Sequence, residues 1–374
     1  MKTFGIGLIG FGFIGKAHAY GWTNIPLFYD PVPARVRLVG VATTNPASAE
    51  KARERGGFQT STADWRELVA RQDVDVIDIA SPNRAHVEQL LAAIQAGKHV
   101  YCDKPLTATL AEAERVEEAL RGYRGIGQMT FNNRFFPATL RAKQLIEEGY
   151  LGEVIGFRGS YLHAGSVDPS RPMGWKQKAS EGAGTLRDLG SHLLDLADWL
   201  AGPLESVLAE TRILHPERPD ASGRRVRVEA DDQVALLART ASGAVGTLEA
   251  SKIATGAEDE LRLEIHGSKG ALRFNLMDPN WLEAYSLSDP ETPLGGLRGW
   301  KRIATVQRYQ APAAFPGGKM GAGWLRGHMH CQYSFLSAVA SGKQGEPSLL
   351  RGVRMERMLA AVAESAKSRS WVSL

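Results

Sequence analysis

The sequence lacks the features that mark secreted, membrane-bound or nucleic-acid-binding proteins. Only 2 of its 374 residues are cysteine, which excludes a disulfide framework and a cysteine-rich metal site. Lys and Arg number 45 against 41 Asp and Glu, and so small a surplus gives no argument for a nucleic-acid partner. No apolar run approaches the length of a membrane span, and no charged leader precedes the first apolar segment. We therefore expect a cytoplasmic protein with no metal, membrane or nucleic-acid partner.

What the chain does contain, in its first half, is a regular alternation of short apolar segments and helical patterns. With 374 residues, of which 43% are hydrophobic, the chain is long enough for two domains. The alternation is typical of βαβ units and predicts a doubly wound parallel sheet in a first domain, residues 1–127. Strands are predicted near residues 4–9, 36–42, 74–80, 99–102 and 125–130.

The second half has a different pattern, in which β-type runs follow one another across tight turns. This predicts a C-terminal α+β domain, residues 128–374, with a large, mostly antiparallel open sheet. The last two helices, near residues 324–341 and 350–368, are expected to pack back on the first domain. A Gly- and Pro-rich segment at 290–323 is expected to be a functional arm or lid. The strands are predicted near 153–163, 206–213, 226–238, 244–253, 261–266 and 271–274.

Three glycines follow the first predicted strand directly. Gly10, Gly12 and Gly15 have the spacing G-x-G-x-x-G, with Phe13 and Ile14 at the start of the next helix. In a Rossmann βαβ unit these glycines allow a tight turn, the approach of a pyrophosphate and close helix packing. The helix N-terminus adds free N–H groups. Because 40 glycines will produce chance matches, the position between strand and helix carries the prediction of a dinucleotide site.

The end of the second strand leaves the choice between NAD and NADP open. An Asp or Glu at this place normally binds the ribose hydroxyls of NAD, whereas an Arg holds the 2′-phosphate of NADP. This chain has Thr43 and Thr44 there, which could hydrogen-bond either cofactor.

A lysine follows the fourth predicted strand, where open parallel sheets bind their ligands. It is Lys104, in the segment Asp103-Lys104-Pro105. Further on, Asp188 and His192 are four residues apart in a helical pattern and therefore share a face. A histidine suits the removal of a hydroxyl proton near neutral pH, a carboxylate can orient its ring, and an ammonium group stabilises a developing alkoxide. These types fit the oxidation of an alcohol by hydride transfer.

The three segments, in this order, resemble the glucose–fructose oxidoreductase/inositol 2-dehydrogenase (Gfo/Idh/MocA) family along nearly the whole chain. The resemblance also covers Ser81-Pro82-Asn83 with His86, and Ile265-His266-Gly267-Ser268-Lys269-Gly270. The usual Glu-Lys-Pro of the family is Asp103-Lys104-Pro105 here.

The resemblance implies catalytic roles for Lys104, Asp188 and His192. It implies that Pro82 and Asn83 lie near the nicotinamide end, and we take Ser81, His86, Asp103 and Lys104 as further cofactor contacts. It also implies a homodimer or homotetramer that forms through the C-terminal sheet.

Within the family, the segments Gly15-Lys16-Ala17-His18 and Trp175-Lys176 are similar to the branch that oxidises sugars and polyols. The substrate contacts we expect are Asn132, Arg134, Tyr161, His163, Trp175 and Lys176. The prediction is an NAD(P)-dependent dehydrogenase of a sugar, inositol or related polyol. Two alternatives stay open: a redox-neutral, NAD-dependent glycoside-cleaving enzyme and a non-catalytic, nicotinamide-sensing regulator.

Overall fold

A computed structural model describes residues 1–306, 309, 313, 321 and 323–374. These residues form two compact units. The first contains Met1–Phe135 and Gly323–Glu356, and the second contains 136–306 and Arg357–Leu374. The predicted division lay at 127/128, so the first unit takes in eight further residues and a late helix as well.

The first unit is built on a parallel sheet of six strands. The strands are β1 (Thr3–Ile9), β2 (Arg35–Ala42), β3 (Thr60–Thr62), β4 (Val76–Ile79), β5 (His99–Cys102) and β6 (Gly127–Met129). Their order is β3-β2-β1-β4-β5-β6, so the direction of winding reverses between β1 and β4. This confirms the predicted doubly wound sheet. Only β3 lacks a predicted counterpart, because three residues are too few for a hydrophobic period to show.

The helices of this unit begin and end at local signals in the sequence. They are α1 (Phe13–Phe28), α2 (Pro46–Gly56), α3 (Trp65–Ala70), α4 (Asn83–Gln95) and α5 (Leu110–Leu120). Asn45 caps α2 by accepting the N–H of Ser48. Gly97, just past α4, has a φ of +67°, a conformation that favours glycine.

The second unit contains a nine-stranded sheet that confirms the predicted C-terminal α+β domain. Its strands are β7 (Val154–Leu162), β8 (Leu204–Arg212), β11 (Gln233–Thr240), β12 (Val245–Ser251), β13 (Glu260–Gly267), β14 (Gly270–Asn275), β15 (Trp281–Ser286), β16 (Lys301–Ala304) and β17 (Val372–Ser373). Their order is β16-β15-β14-β13-β7-β12-β11-β8-β17, in which β7 and β12 are parallel and the other pairs are antiparallel. A separate hairpin pairs β9 (Glu217–Pro219) with β10 (Arg225–Arg227).

One predicted strand, residues 226–238, is wrong, because the structure divides it into β10 and β11. The interruption falls at two acids whose side chains bind backbone elsewhere. Asp231 Oδ2 accepts the N–H of Leu186, and Asp232 Oδ2 accepts that of Leu214. The chain between β10 and β11 therefore forms a loop, in which both carboxylates accept backbone N–H groups of other segments.

The predicted arm at 290–323 contains β16, which pairs with β15. Of the residues from 307 to 322 in this segment, all but 309, 313 and 321 lie outside the described residues.

The predicted helix at 184–201 is a π turn, Leu186–Gly190, that continues as α7 (Ser191–Leu200). The other helices are α6 (Pro137–Glu147), α8 (Trp324–Ser341) and α9 (Leu349–Ser368). In the described part of the chain, no helix has the length and apolar character needed to cross a bilayer. Nor do the described residues bring together three or more His, Cys, Asp or Glu side chains suited to a metal ion.

Candidate active site

The glycine-rich turn leaves space for a ligand at one glycine and fills it at the other two. Gly10 has a φ of +93°, and a Cβ there would lie 2.5 Å from the Ala80 carbonyl oxygen. A Cβ on Gly15 would lie 2.2 Å from the Gly10 carbonyl oxygen. At Gly12, in contrast, nothing lies within 4 Å of a Cβ position. The turn is therefore closed by its own backbone and open at Gly12, in front of the α1 N-terminus.

Phe13 and Ile14 form the beginning of α1. The Phe13 ring is 74% exposed and stacks on Trp324, with 5.3 Å between the ring centroids. This places an aromatic pair beside the open turn. Ile14 follows at intermediate exposure.

The end of β2 carries no carboxylate, as the sequence indicated. The Thr43 hydroxyl lies 2.5 Å from the Ser48 hydroxyl and 3.2 Å from the Asn45 carbonyl oxygen, so it already has partners in the turn that begins α2. Thr44 is exposed. Of the two, Thr44 has the more accessible hydroxyl for a cofactor ribose.

The ends of β4 and β5 hold the next group of predicted residues. After β4, the Ser81 hydroxyl bonds the Gln89 side chain at 2.7 Å, and Pro82 and Asn83 lead into α4. After β5, Asp103 Oδ1 accepts the N–H of Lys104 at 2.9 Å. Asp103 therefore shapes the backbone of the lysine loop. Neighbouring parallel strands end at the same edge, so both loops lie at the ligand-binding edge of this sheet.

His86 lies beneath these two loops and is fully buried. Its Nδ1 is 3.0 Å from the Pro105 carbonyl oxygen, and its Nε2 is 2.8 Å from the Ser81 carbonyl oxygen. Both ring nitrogens thus face backbone, and the ring has no nitrogen left for the predicted cofactor contact.

A buried ionic group on α1 and β4 is a feature that the sequence analysis missed. His18 Nδ1 lies 2.8 Å from Asp78 Oδ1, and Trp22 Nε1 donates to Asp78 Oδ2 at 2.7 Å. Burial lowers the pKa of His18, but the Asp78 charge and hydrogen bond outweigh burial and leave the pKa above its usual value. Asp78 therefore binds both side chains inside the sheet–helix layer.

In the second unit, the π turn before α7 positions Asp188 and His192. The π turn, whose hydrogen bonds join residues five apart, carries Asp188, and α7, which continues it, carries His192. The turn is held by Asp231, whose Oδ2 accepts the N–H of Leu186 and whose backbone oxygen accepts that of Thr185. Burial raises the pKa of Asp231. Gly184, at φ +125°, is required here because a Cβ would lie 2.3 Å from Asp231 Oδ1.

Asp188 is bridged by two lysines. Its Oδ2 lies 2.8 Å from Lys252 Nζ and 3.0 Å from Lys176 Nζ. The Lys252 side chain is 12% exposed and that of Lys176 is 50% exposed. Two ammonium groups on one carboxylate leave a net positive charge at this point. Lys176 also lies 5.7 Å from the centroid of the Trp175 ring, which is 39% exposed.

A second polar group lies along β7. The Tyr161 hydroxyl donates to Asp259 Oδ1 at 2.8 Å, and His163 Nε2 lies 2.9 Å from the same oxygen. Burial raises the pKa of Asp259, but these two hydrogen bonds outweigh it and hold the pKa below its usual range. The Tyr161 ring meets the edge of the His192 ring at a centroid distance of 5.9 Å. Tyr161, His163 and His192 are therefore neighbours in one cluster.

Asn132 and Arg134 belong to the first unit, in a 3-10 turn after β6. Both are almost completely buried. These two predicted substrate residues therefore belong to a different compact unit from Tyr161 and His163.

Lys252 and Asp259 are site residues that the sequence analysis did not find. Lys252 follows β12 directly, and β12 pairs in parallel with β7, so its end lies beside His163. The predicted strand at 244–253 included Lys252 near its end, but nothing in the local sequence marked this lysine as a site residue. The strand's parallel pairing with a strand some 90 residues earlier has no signature in local sequence.

Comparisons with known proteins agree with this architecture. Residues 4–131 match the family model described as the oxidoreductase family, NAD-binding Rossmann fold. Residues 139–273 match the model of the GFO/IDH/MocA C-terminal domain.

Several relatives have named activities, as two examples show. A levoglucosan dehydrogenase from Pseudarthrobacter phenanthrenivorans is 36% identical over 389 residues, covering 100% of this chain and 99% of the relative. An inositol 2-dehydrogenase from Rhizobium meliloti is 33% identical over 275 residues, covering 72% of this chain and 75% of the relative. Among solved structures, levoglucosan dehydrogenase in complex with NADH and levoglucosan has a TM-score of 0.94 at 36% identity, covering 100% of this chain and 99% of that chain.

Proposed function

We propose that this chain, which belongs to the GFO/IDH/MocA family of NAD-dependent oxidoreductases, oxidises a secondary hydroxyl of a sugar or polyol. Its relatives include levoglucosan and inositol dehydrogenases, so ring-shaped polyhydroxy compounds are the expected substrates. The observation that carries the proposal is the polar cluster of the second unit, where a doubly bridged Asp188 lies one turn from His192.

The first unit fits NAD. The open space at Gly12 and the free N–H groups of the α1 N-terminus suit a pyrophosphate. The exposed Thr44 offers a hydroxyl to the ribose. Because no Asp or Glu follows β2 directly, the same place does not repel the 2′-phosphate of NADP. When bound, NAD supplies the hydride acceptor.

His192 is the proposed general base. It takes the proton of the substrate hydroxyl as the C–H bond breaks, because a neutral imidazole can accept a proton near pH 7. The ion pairs of Asp188 with Lys176 and Lys252 hold these three charges in place beside His192. Lys252, which is largely buried, keeps a positive charge close to the site where negative charge develops.

Lys104 has a separate proposed role, in which its ammonium group stabilises the developing alkoxide. The Asp103 carboxylate holds the lysine's backbone N–H, which restricts the loop that carries the side chain. Neither residue needs to leave its charged state during this step.

Substrate hydroxyls have several partners in the second unit. The Trp175 ring is exposed enough to lie against the apolar face of a sugar, and Lys176 extends from the next position. Tyr161 and His163 are tied to Asp259, which fixes their orientation. Fixed donors and an aromatic face are typical of sites that distinguish between polyols.

The proposal is tested with levoglucosan, inositols and common sugars, each supplied with NAD and with NADP, by following the absorbance of the reduced nicotinamide. Reduction of NAD with at least one compound supports it. Cleavage of an aryl glycoside without net NADH formation would instead identify the redox-neutral alternative. NADH binding with neither reaction would identify a sensor and contradict the proposal.

We also propose that a second copy of the chain packs on the open face of the nine-stranded sheet. Leu237 of β11 is 38% exposed and pairs across the ladders with Thr247 and Leu208. Two residues before Leu237 on β11, Ala235 pairs with Glu249 and Glu210, so two acidic side chains lie next to Leu237 and Leu208. Light scattering after size-exclusion chromatography should give a dimer or tetramer, and Leu237→Glu should lower the assembled mass.

A further inference from the structure

His86 occupies an unusual place between two functional loops. It projects from α4, is fully buried, and contacts the carbonyl oxygens of Ser81 and Pro105 with opposite edges of its ring. Ser81 begins the loop that leads to Asn83, and Pro105 follows Lys104 directly. One side chain therefore joins the two loops through their backbones.

The chemistry of these contacts restricts the protonation of the ring. A carbonyl oxygen only accepts hydrogen bonds, and a neutral imidazole has a single N–H. A neutral ring would therefore point a lone pair at one of the two oxygens, at 2.8 Å or 3.0 Å. Only the imidazolium form donates to both.

Carboxylates near the ring favour a positive charge, whereas its full burial opposes one. Cys102 Sγ of β5 lies 3.9 Å from His86 Nδ1. Burial raises the pKa of this thiol, and the charges of Asp103, Asp78 and Glu356 raise it further. Asp103 follows β5, Asp78 belongs to β4 and Glu356 belongs to α9, so the carboxylates come from three parts of the first unit.

Two cations are close in sequence to the contacts, and they oppose this effect. Arg84 is on the same helix as His86, and Lys104 precedes Pro105. Neither displaces the two carbonyl contacts, which at 3.0 Å and 2.8 Å are much shorter than the contact with Cys102.

We propose that His86 is an imidazolium clamp that holds the Ser81–Asn83 loop and the Lys104–Pro105 loop in a fixed relation. His86 is a positioning residue, since both its nitrogens bind backbone and its buried ring touches no bulk solvent. It acts through Asn83 and Lys104, and this catalytic consequence rests on the proposed dehydrogenase function. The protonation of the ring does not rest on it.

The first experiment is ¹⁵N NMR of the full-length protein with labelled histidine at pH 7. The expected spectrum contains a slowly exchanging ring in which both nitrogens carry protons, and this signal is absent from His86→Gln. His215 provides the matched control, because only its Nε2 contacts a carbonyl oxygen, that of Val167 at 2.9 Å. His215→Gln should leave the imidazolium signal unchanged. A neutral ring at position 86 overturns the proposal, whatever the enzyme's activity.

The second experiment separates positioning from simple destabilisation. In His86→Gln, the amide can donate to only one side, so Lys104 is held less precisely. We expect kcat per NADH-binding site to fall by up to about 100-fold, the loss that a displacement of about 1 Å can cause. The dissociation constant of NADH should change less, because the glycine turn binds the pyrophosphate.

A purely structural role would lower the melting temperature and the number of NADH-binding sites, with normal kcat per site, and that result contradicts the clamp. If the wild type turns over no sugar or polyol, the proposed function fails while the NMR measurement still decides the protonation of His86.

Discussion

The two units form their candidate functional groups by different means. In the first unit, the glycine turn is shaped by backbone contacts, with Gly10 and Gly15 closing it and Gly12 leaving it open. In the second unit, side-chain charges define the polar clusters, with Asp188 between two lysines and Asp259 between Tyr161 and His163. Under the proposed function, the cofactor site therefore rests on backbone, whereas the substrate site rests on side chains that can vary.

The largest effects should come from removing the proposed proton and charge carriers. We expect His192→Ala and Lys104→Met each to lower kcat by about 10²–10⁴-fold, the usual cost of losing a general acid or base. NADH affinity, measured by fluorescence titration, should remain nearly unchanged. His215→Gln is the control for a histidine outside the site. Activity close to wild type in both variants would contradict the site.

The glycine turn offers a matched pair of alanine variants. Gly12→Ala should fold normally, because nothing lies within 4 Å of the new Cβ, but should weaken NADH binding by about tenfold or more by filling the pyrophosphate space. Gly10→Ala places a side chain at φ +93°, which costs about 1–3 kcal/mol of stability. Calorimetry and NADH titration separate the two effects. Equal loss of stability in both variants would show that the turn is not open at Gly12.

The two lysines of Asp188 should differ in importance. Lys252→Met removes a largely buried charge–charge hydrogen bond, worth about 1.5–3 kcal/mol, and should also lower kcat. Lys176→Met removes a half-exposed pair worth under about 1 kcal/mol and should mainly raise KM. Thermal unfolding and steady-state kinetics on both variants test this order. A larger stability loss at Lys176 would contradict it.

The smallest effect is on stability at acid pH. The pKa of Asp259 is lower in the folded protein than in the unfolded chain, so its ionised form stabilises the fold above the unfolded pKa of about 3.9. This stabilisation is lost as pH falls through the folded pKa. Asp259→Asn should therefore melt below wild type at pH 7, and the difference should shrink at about pH 3. Glu114→Gln is the exposed control. A difference in melting temperature between Asp259→Asn and wild type that grows on acidification would contradict this prediction.

Much of the first unit followed from local sequence. Apolar runs with β-branched residues predicted five of its six strands. The start of α5 also has a local signal, the capping box of Thr109 and Glu112, and both of its hydrogen bonds are present. The glycine spacing predicted the turn because Gly10 and Gly15 meet backbone contacts, with Ala80 at the neighbouring strand end and with Gly10 respectively, while Gly12 leaves the space open.

The second unit was harder to predict in detail. Asp231 interrupts the predicted strand 226–238 because it is needed 45 residues away, at Leu186. The π turn at Asp188 follows from the same contact, since hydrophobic spacing alone cannot distinguish a π turn from the first turn of an α-helix.

By itself, the sequence determined the two kinds of sheet and the glycine turn, because these depend on short-range periodicity and residue type, and the catalytic roles of Lys104, Asp188 and His192 stay predictions. Tertiary structure alone decided that Lys252 joins Asp188, that Asp259 joins Tyr161 and His163, and that His86 faces two carbonyl oxygens. The physical reason is that polar partners are chosen by strand pairing and burial, which bring together residues that are far apart in the chain.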